Sequence, residues 1–96
     1  MTLEQLAIFV AVAEREHLTK AADAIGLTPS AVSSAIKNLE GFYGVALFHR
    51  VGRRIELSET GRLFLNEAKA TLARARAAEL TLAELGGLQR GELNVY

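Results

Sequence analysis

The side chains able to do chemistry in this 96-residue chain crowd into its middle. Between Ser30 and Ile55 stand Lys37, Arg50, Arg53 and Arg54 against the single carboxylate Glu40, although the whole chain balances eleven basic residues with eleven acidic ones. Just ahead of the arginines, Thr28, Pro29, Ser30, Ser33 and Ser34 form a run of short side chains, most of them hydroxyls. Hydroxyls donate and accept, while lysine and arginine only donate, so the set suits a surface of oxygen acceptors, phosphates above all. It does not suit catalysis. Absence of cysteine excludes disulfides and thiolate zinc sites, and His17 and His49 stand too far apart in sequence for a recognisable metal motif. No glycine-rich phosphate loop, nucleophile elbow or histidine–carboxylate constellation is present, so the expectation is no enzyme, no cofactor and no metal.

Helices and a hairpin must hold those side chains, and the local signals for both are there. Thr2 followed by Gln5 is a capping-box pair, and Leu3, Leu6, Phe9, Val10 and Ala13 recur at helical spacing, which predicts a first helix over 3–15. A second helix is expected to start near Thr19, whose hydroxyl can cap it, and to stop at Gly26, where a left-handed backbone meets no Cβ clash. Only Leu27 separates that stop from Thr28 and Pro29, a capping residue and a proline preset for the first helical position. The third helix then runs from Pro29 to about Tyr43, with Val32, Ile36, Leu39 and Tyr43 on its buried side. At about 100° per residue, Ser30, Ser34, Lys37 and Gly41 fall opposite, flanked by Ser33 and Asn38. Such a smooth polar face fits either plain solvent or a DNA major groove ~12 Å wide.

After Gly44 come Val45, Leu47 and Phe48, then His49 and Arg50, a turn through Val51 and Gly52, and a second apolar-alternating run to Leu57. Two short strands around a glycine-containing turn form a hairpin, whose tip carries Arg50, Arg53 and Arg54 within five residues. Arginines at a hairpin tip suit phosphates or the narrow minor groove, a charged solubilising loop being the plain alternative.

The run TKAADAIGLTPSAVSSAIKNLEGFYGVALFHRVGRRIELSETG, residues 19–61, closely resembles the amino-terminal domain of LysR-type transcriptional regulators. Its elements are Ala21-Ala22, Ala31-Val32-Ser33 with Leu39-Glu40 behind, Leu47-Phe48 with Arg50, and Leu57-Ser58 leading to Thr60-Gly61; the likeness begins at LEQLAIFVAVAE and covers nearly the whole chain. The resemblance implies a mainly α fold, a winged helix-turn-helix over 1–57 of three helices and a two-stranded β-hairpin. The helix-turn-helix occupies 18–37 and the wing about 47–57. It implies that the helix over 29–43 enters the major groove, that Ser33 and Lys37 contact base or backbone, and that Arg50 and Arg53 serve the wing at the minor groove. Members commonly carry glutamine at the position of Pro29, proline at Ser30, and arginine or lysine at Ser34. With serine at 34 the bidentate guanine contact of an arginine is not made, so direct base readout is expected to be sparse. The competing readings are a winged-helix regulator of another family and a protein–protein dimerisation module whose basic patch is incidental.

From Ser58, a capping residue, no helix breaker follows Gly61 until Gly86-Gly87, which predicts a long helix over 58–87. A small domain cannot cover a helix of ~42 Å, so a partner is expected. Leu65, Ala68, Leu72, Ala75, Glu79 and Leu82 fall at alternating three and four steps, a heptad seam with Glu79 as its flaw. Linker helices pair two copies in the family, and the resemblance therefore implies a homodimer through Leu65, Ala68, Leu72, Ala75 and Leu82. The resemblance further implies an interrupted inverted repeat of double-stranded DNA as the target, each half read by one helix that starts at Pro29. Glu92-Leu93-Asn94-Val95-Tyr96 reads as the first strand of a further effector-binding unit, cut off within 88–96. In full-length members that unit senses a small-molecule inducer and supports tetramers. No apolar run approaches the ~20 residues of a membrane span, and MTLEQLAIFV has no basic segment ahead of it, so the cytoplasm is the expected compartment.

Overall fold

The structure, a computed structural model, describes residues 1–52 and 54–95, with side-chain burial as far as Gly87. The elements run α1 Leu3–Arg15, α2 Leu18–Ile25, α3 Pro29–Tyr43, β1 Phe48–Val51, β2 Arg54–Leu57 and α4 Glu59–Val95. This is the expected mainly helical winged fold: three helices, a two-stranded antiparallel sheet and a long final helix.

Local chemistry accounts for most of the boundaries. Thr2 Oγ1 accepts the Gln5 N–H and Gln5 Oε1 accepts the Thr2 N–H, both at 3.0 Å, so the capping box at α1 is complete. The start of α2 differs from expectation. His17, not Thr19, caps it: the extended His17 backbone brings Nδ1 to 3.1 Å from the Lys20 N–H, an acceptor doing the work of a hydroxyl. Gly26 ends α2 in the left-handed conformation at φ 70°, and Thr28 Oγ1 caps α3 by accepting the Ala31 N–H at 3.1 Å.

The core sits where α1, α2, α3 and the foot of the hairpin converge. Leu6, Phe9, Val12, Ala21, Ala22, Val32, Ile36 and Leu39 are buried there, and Phe9 is fully enclosed. Its ring lies 5.5 Å from Phe48 of β1 and 5.1 Å from Phe64 of α4, so one aromatic junction ties α1 to the wing and to the long helix. Tyr43 was expected inside but is half exposed, because the last turn of α3 overhangs this core and its ring stacks edge-on against Phe42. The hairpin pairs Phe48 with Leu57, His49 with Glu56, Arg50 with Ile55 and Val51 with Arg54.

Ser58 joins wing to helix. Its Oγ donates to the Ala46 carbonyl at 2.6 Å and accepts the Gly61 N–H at 2.9 Å, while its own N–H donates to the Leu47 carbonyl at 2.9 Å. Gly61 is buried so tightly there that a Cβ would strike the Leu47 carbonyl oxygen and come within 2.7 Å of Leu57 Cδ1. Glycine is what permits this approach.

Helix α4 corrects two expectations. It passes through Gly86-Gly87 and continues to Val95, so neither the expected stop nor the strand over 92–95 forms; Tyr96 lies outside the described residues. Each helical glycine costs only ~1 kcal/mol, less than a continuous ladder of backbone hydrogen bonds supplies. A strand, by contrast, needs a neighbouring strand, and none stands there among the described residues. At 37 residues and about 1.5 Å per residue the helix spans ~55 Å, and the whole molecule measures 63 × 24 × 20 Å. Among the described residues no helix is long and apolar enough to cross a membrane.

Candidate nucleic-acid interface

Helices α2 and α3 meet across the Gly26–Thr28 turn, where the Leu27 N–H reaches the Ala22 carbonyl at 3.0 Å. Burial of Val32, Ile36 and Leu39 turns the opposite face of α3 outward, and Ser30, Ser34, Lys37 and Gly41 are all exposed there with Asn38. Ser33 sits half-buried at the edge of this face, while Thr28 and Pro29 are exposed at its leading end. The Thr28 oxygen already serves as the cap, which leaves its hydroxyl proton free to donate outward.

The tertiary structure brings this face to the wing. A groove of about 200 Å³ is lined by Ser33, Lys37 and Glu40 from α3 and by His49 and Arg50 from β1. A second recess of about 250 Å³ places His17 and Thr19, at the start of α2, beside Arg50 and Ile55. Arg50 lines both, so it joins the leading end of α2, the outward side of α3 and the wing into one surface. The carboxylate in this neighbourhood is turned to another task. Glu40 Oε2 accepts the Leu47 N–H at 2.7 Å and the Phe48 N–H at 3.3 Å. Arg54 is exposed and lies 4.0 Å from Glu56, an open pair of the kind that contributes at most ~1 kcal/mol. Arg53 lies outside the described residues. His17, Thr19 and His49 belong to the surface, a binding role the sequence does not assign to them. The cap at His17 was the one signal that could have pointed to them.

The expected dimer seam divides in two. Ala68 is fully buried against the chain's own core, and Leu65 and Leu72 pack partly on it, so this stretch of the seam faces α1 of the same molecule. Lys69 reaches Glu14 of α1 at 3.3 Å on the same side. Ala75 is half-buried and Leu82 is 70% exposed. The physical reason is that a helix resting on its own domain needs the same three–four spacing as one resting on a partner. From residue 78 to Gly87 every residue except Gly86 is exposed, including Leu80 and Leu85.

With that geometry in hand, residues 3–62 match the family described as bacterial regulatory helix-turn-helix protein, lysR family. The chain belongs to the LysR family. It is 36% identical over 95 residues to the RuBisCO operon transcriptional regulator of Allochromatium vinosum, an alignment covering 99% of this chain and 32% of that relative. The chain thus spans about a third of the length of the first curated relatives it matches. Among solved structures, the BenM DBD in complex with benA site 1 DNA superposes with a TM-score of 0.83 at 30% identity, covering 90% of this chain and 97% of that one. Full-length CbnR complexed with its target DNA gives a TM-score of 0.77 at 32% identity, over 86% of this chain and 29% of that one. The homologues of this LysR-family domain are transcriptional regulators, not enzymes.

Proposed function

We propose that this chain is the sequence-specific, double-stranded DNA-binding part of a LysR-type transcription regulator. Helix α3 enters the major groove, presenting Ser30, Ser33, Ser34 and Lys37 with Thr28 and Pro29 at its leading end. Arg50, Arg53 and Arg54 in the wing serve the adjacent backbone and minor groove. The observation that carries this reading is the continuous surface on which Ser33 and Lys37 meet Arg50 across one groove. A buried Val32–Ile36–Leu39 stripe holds the helix with that surface outward. Its likeness to a domain solved on DNA supports the same docking.

The exposed Leu80, Leu82 and Leu85 on the free end of α4 support pairing of two copies through that helix. Ala75 contributes from the same seam, and the part of Leu65 and Leu72 that the core leaves open extends it. Two α3 helices in one homodimer then read an interrupted inverted repeat. In the full-length protein we place an inducer-binding domain beyond the long helix, tetrameric assembly through it, and a cytoplasmic location. A gel-shift titration of the chain on duplexes selected from a random pool tests the reading. Selective binding that weakens steeply as salt rises is expected; dimerisation with no duplex affinity overturns it.

A further inference from the structure

We propose that Glu16 is a positioning residue for the wing, fixing the angle at which Arg50 is offered to DNA; the proposal rests on the DNA-binding reading above. Glu16 is the one non-glycine residue with positive φ among those described, at φ 50° and ψ 39°. A residue with a Cβ enters that region rarely, and a conformation held there against preference points to a task. The task is visible. The Glu16 N–H closes α1 on the Val12 carbonyl at 2.7 Å, and the left-handed turn sends the side chain across to β2. There Oε2 accepts the Leu57 N–H at 2.9 Å, a contact 41 residues away in sequence.

Leu57 is the cross-strand partner of Phe48 at the foot of the hairpin. The Phe48 N–H donates to Glu40 of α3, and the Leu57 N–H donates to Glu16 at the end of α1. The foot of the ribbon is therefore gripped on both outer edges by carboxylates that act in place of neighbouring strands. A two-stranded ribbon alone holds its shape poorly. Phe48 and Ile55 anchor it by packing, and Ser58 ties its two ends together through the Leu47 carbonyl. The Phe9–Phe48 contact holds the β1 side of the ribbon to α1, and the Ser58 bond is internal to the wing, so the Glu16 bond is what ties the outer edge of β2 to α1.

Electrostatics and positioning make opposite predictions here. Deleting a carboxylate near a phosphate-binding surface should strengthen DNA binding if Glu16 is merely a solvated charge. Deleting a clamp should weaken it. The test compares Glu16→Gly, which is at ease at positive φ, with Glu16→Gln, which keeps an accepting oxygen. Both are made in the full chain and titrated against a duplex that the parent selects from a random pool. Glu16→Gly should bind about 10- to 100-fold more weakly, the effect of one charge-assisted hydrogen bond, with a salt slope lower by about one unit. Glu16→Gln should stay within about twofold of the parent. Amide exchange at Leu57 in the free protein should accelerate by roughly tenfold in Glu16→Gly only. Binding by Glu16→Gly as tight as the parent or tighter, or an unchanged Leu57 exchange rate, overturns the proposal. If the parent selects no duplex, the DNA-binding reading fails by itself, and the exchange measurement still decides whether the clamp exists.

Discussion

The two halves of α4 carry similar residues at similar spacing and meet different fates. In the first half Ala68 is sealed against α1, with Phe64, Leu65 and Leu72 packed around it; in the second half Leu80, Leu82 and Leu85 stand in the open. The amino-terminal half is thus part of the winged head, while the other half projects beyond it. The difference teaches that apolar periodicity announces a face to be covered without saying what covers it. Here the cover is intramolecular for about four turns, from Glu59 to Leu72, and on our proposal chiefly intermolecular after that.

Substitutions in the head and in the free end should separate cleanly. Largest should be Phe9→Ala, which empties the junction with Phe48 and Phe64 and is expected to cost about 3–5 kcal/mol. Thermal denaturation should show the head melting many degrees lower, and a melt within about a degree of the parent would mean that the aromatic junction is not the keystone.

Next comes Leu82→Lys, placed where the side chain is 70% exposed in one copy. The melt of the head should be unaffected, yet affinity for a two-half-site duplex should fall by ~10², the effect of uncoupling linked sites. Sedimentation should show a monomer at micromolar concentration; a persisting dimer would break the comparison by moving the interface elsewhere. Leu72→Lys, by contrast, should harm both properties, because that side chain also packs on the core.

Smaller effects are expected on the binding surface. Lys37→Ala should weaken binding to every duplex and lower the slope of log affinity against log salt by about one unit. An unchanged slope removes Lys37 from the interface. Ser33→Ala, at the edge of the groove, should cost roughly 1 kcal/mol, the net worth of one neutral hydrogen bond, measured as a several-fold rise in Kd with the salt slope unchanged.

The boundaries of α1 and α3, the stop at Gly26 and the hairpin were determined by sequence alone. The interactions behind them span three or four residues: Thr2 with Gln5, Thr28 with Ala31, and the freedom of glycine at positive φ. A hydrogen bond of that reach needs no distant partner, so a linear reading finds it there, although at α2 it took Thr19 for the cap that His17 supplies. The outward face of α3 followed for a similar reason, since Val32, Ile36 and Leu39 leave only one side to solvent. Tertiary structure decided the rest. It brought Arg50 to Ser33 and Lys37, gave the carboxylates of Glu16 and Glu40 to the foot of the wing, and took Ala68 for the core. Those outcomes depend on which surfaces lie opposite one another after folding, a distance of 41 residues in the case of Glu16, and burial carries no label in the sequence for the partner that supplies it.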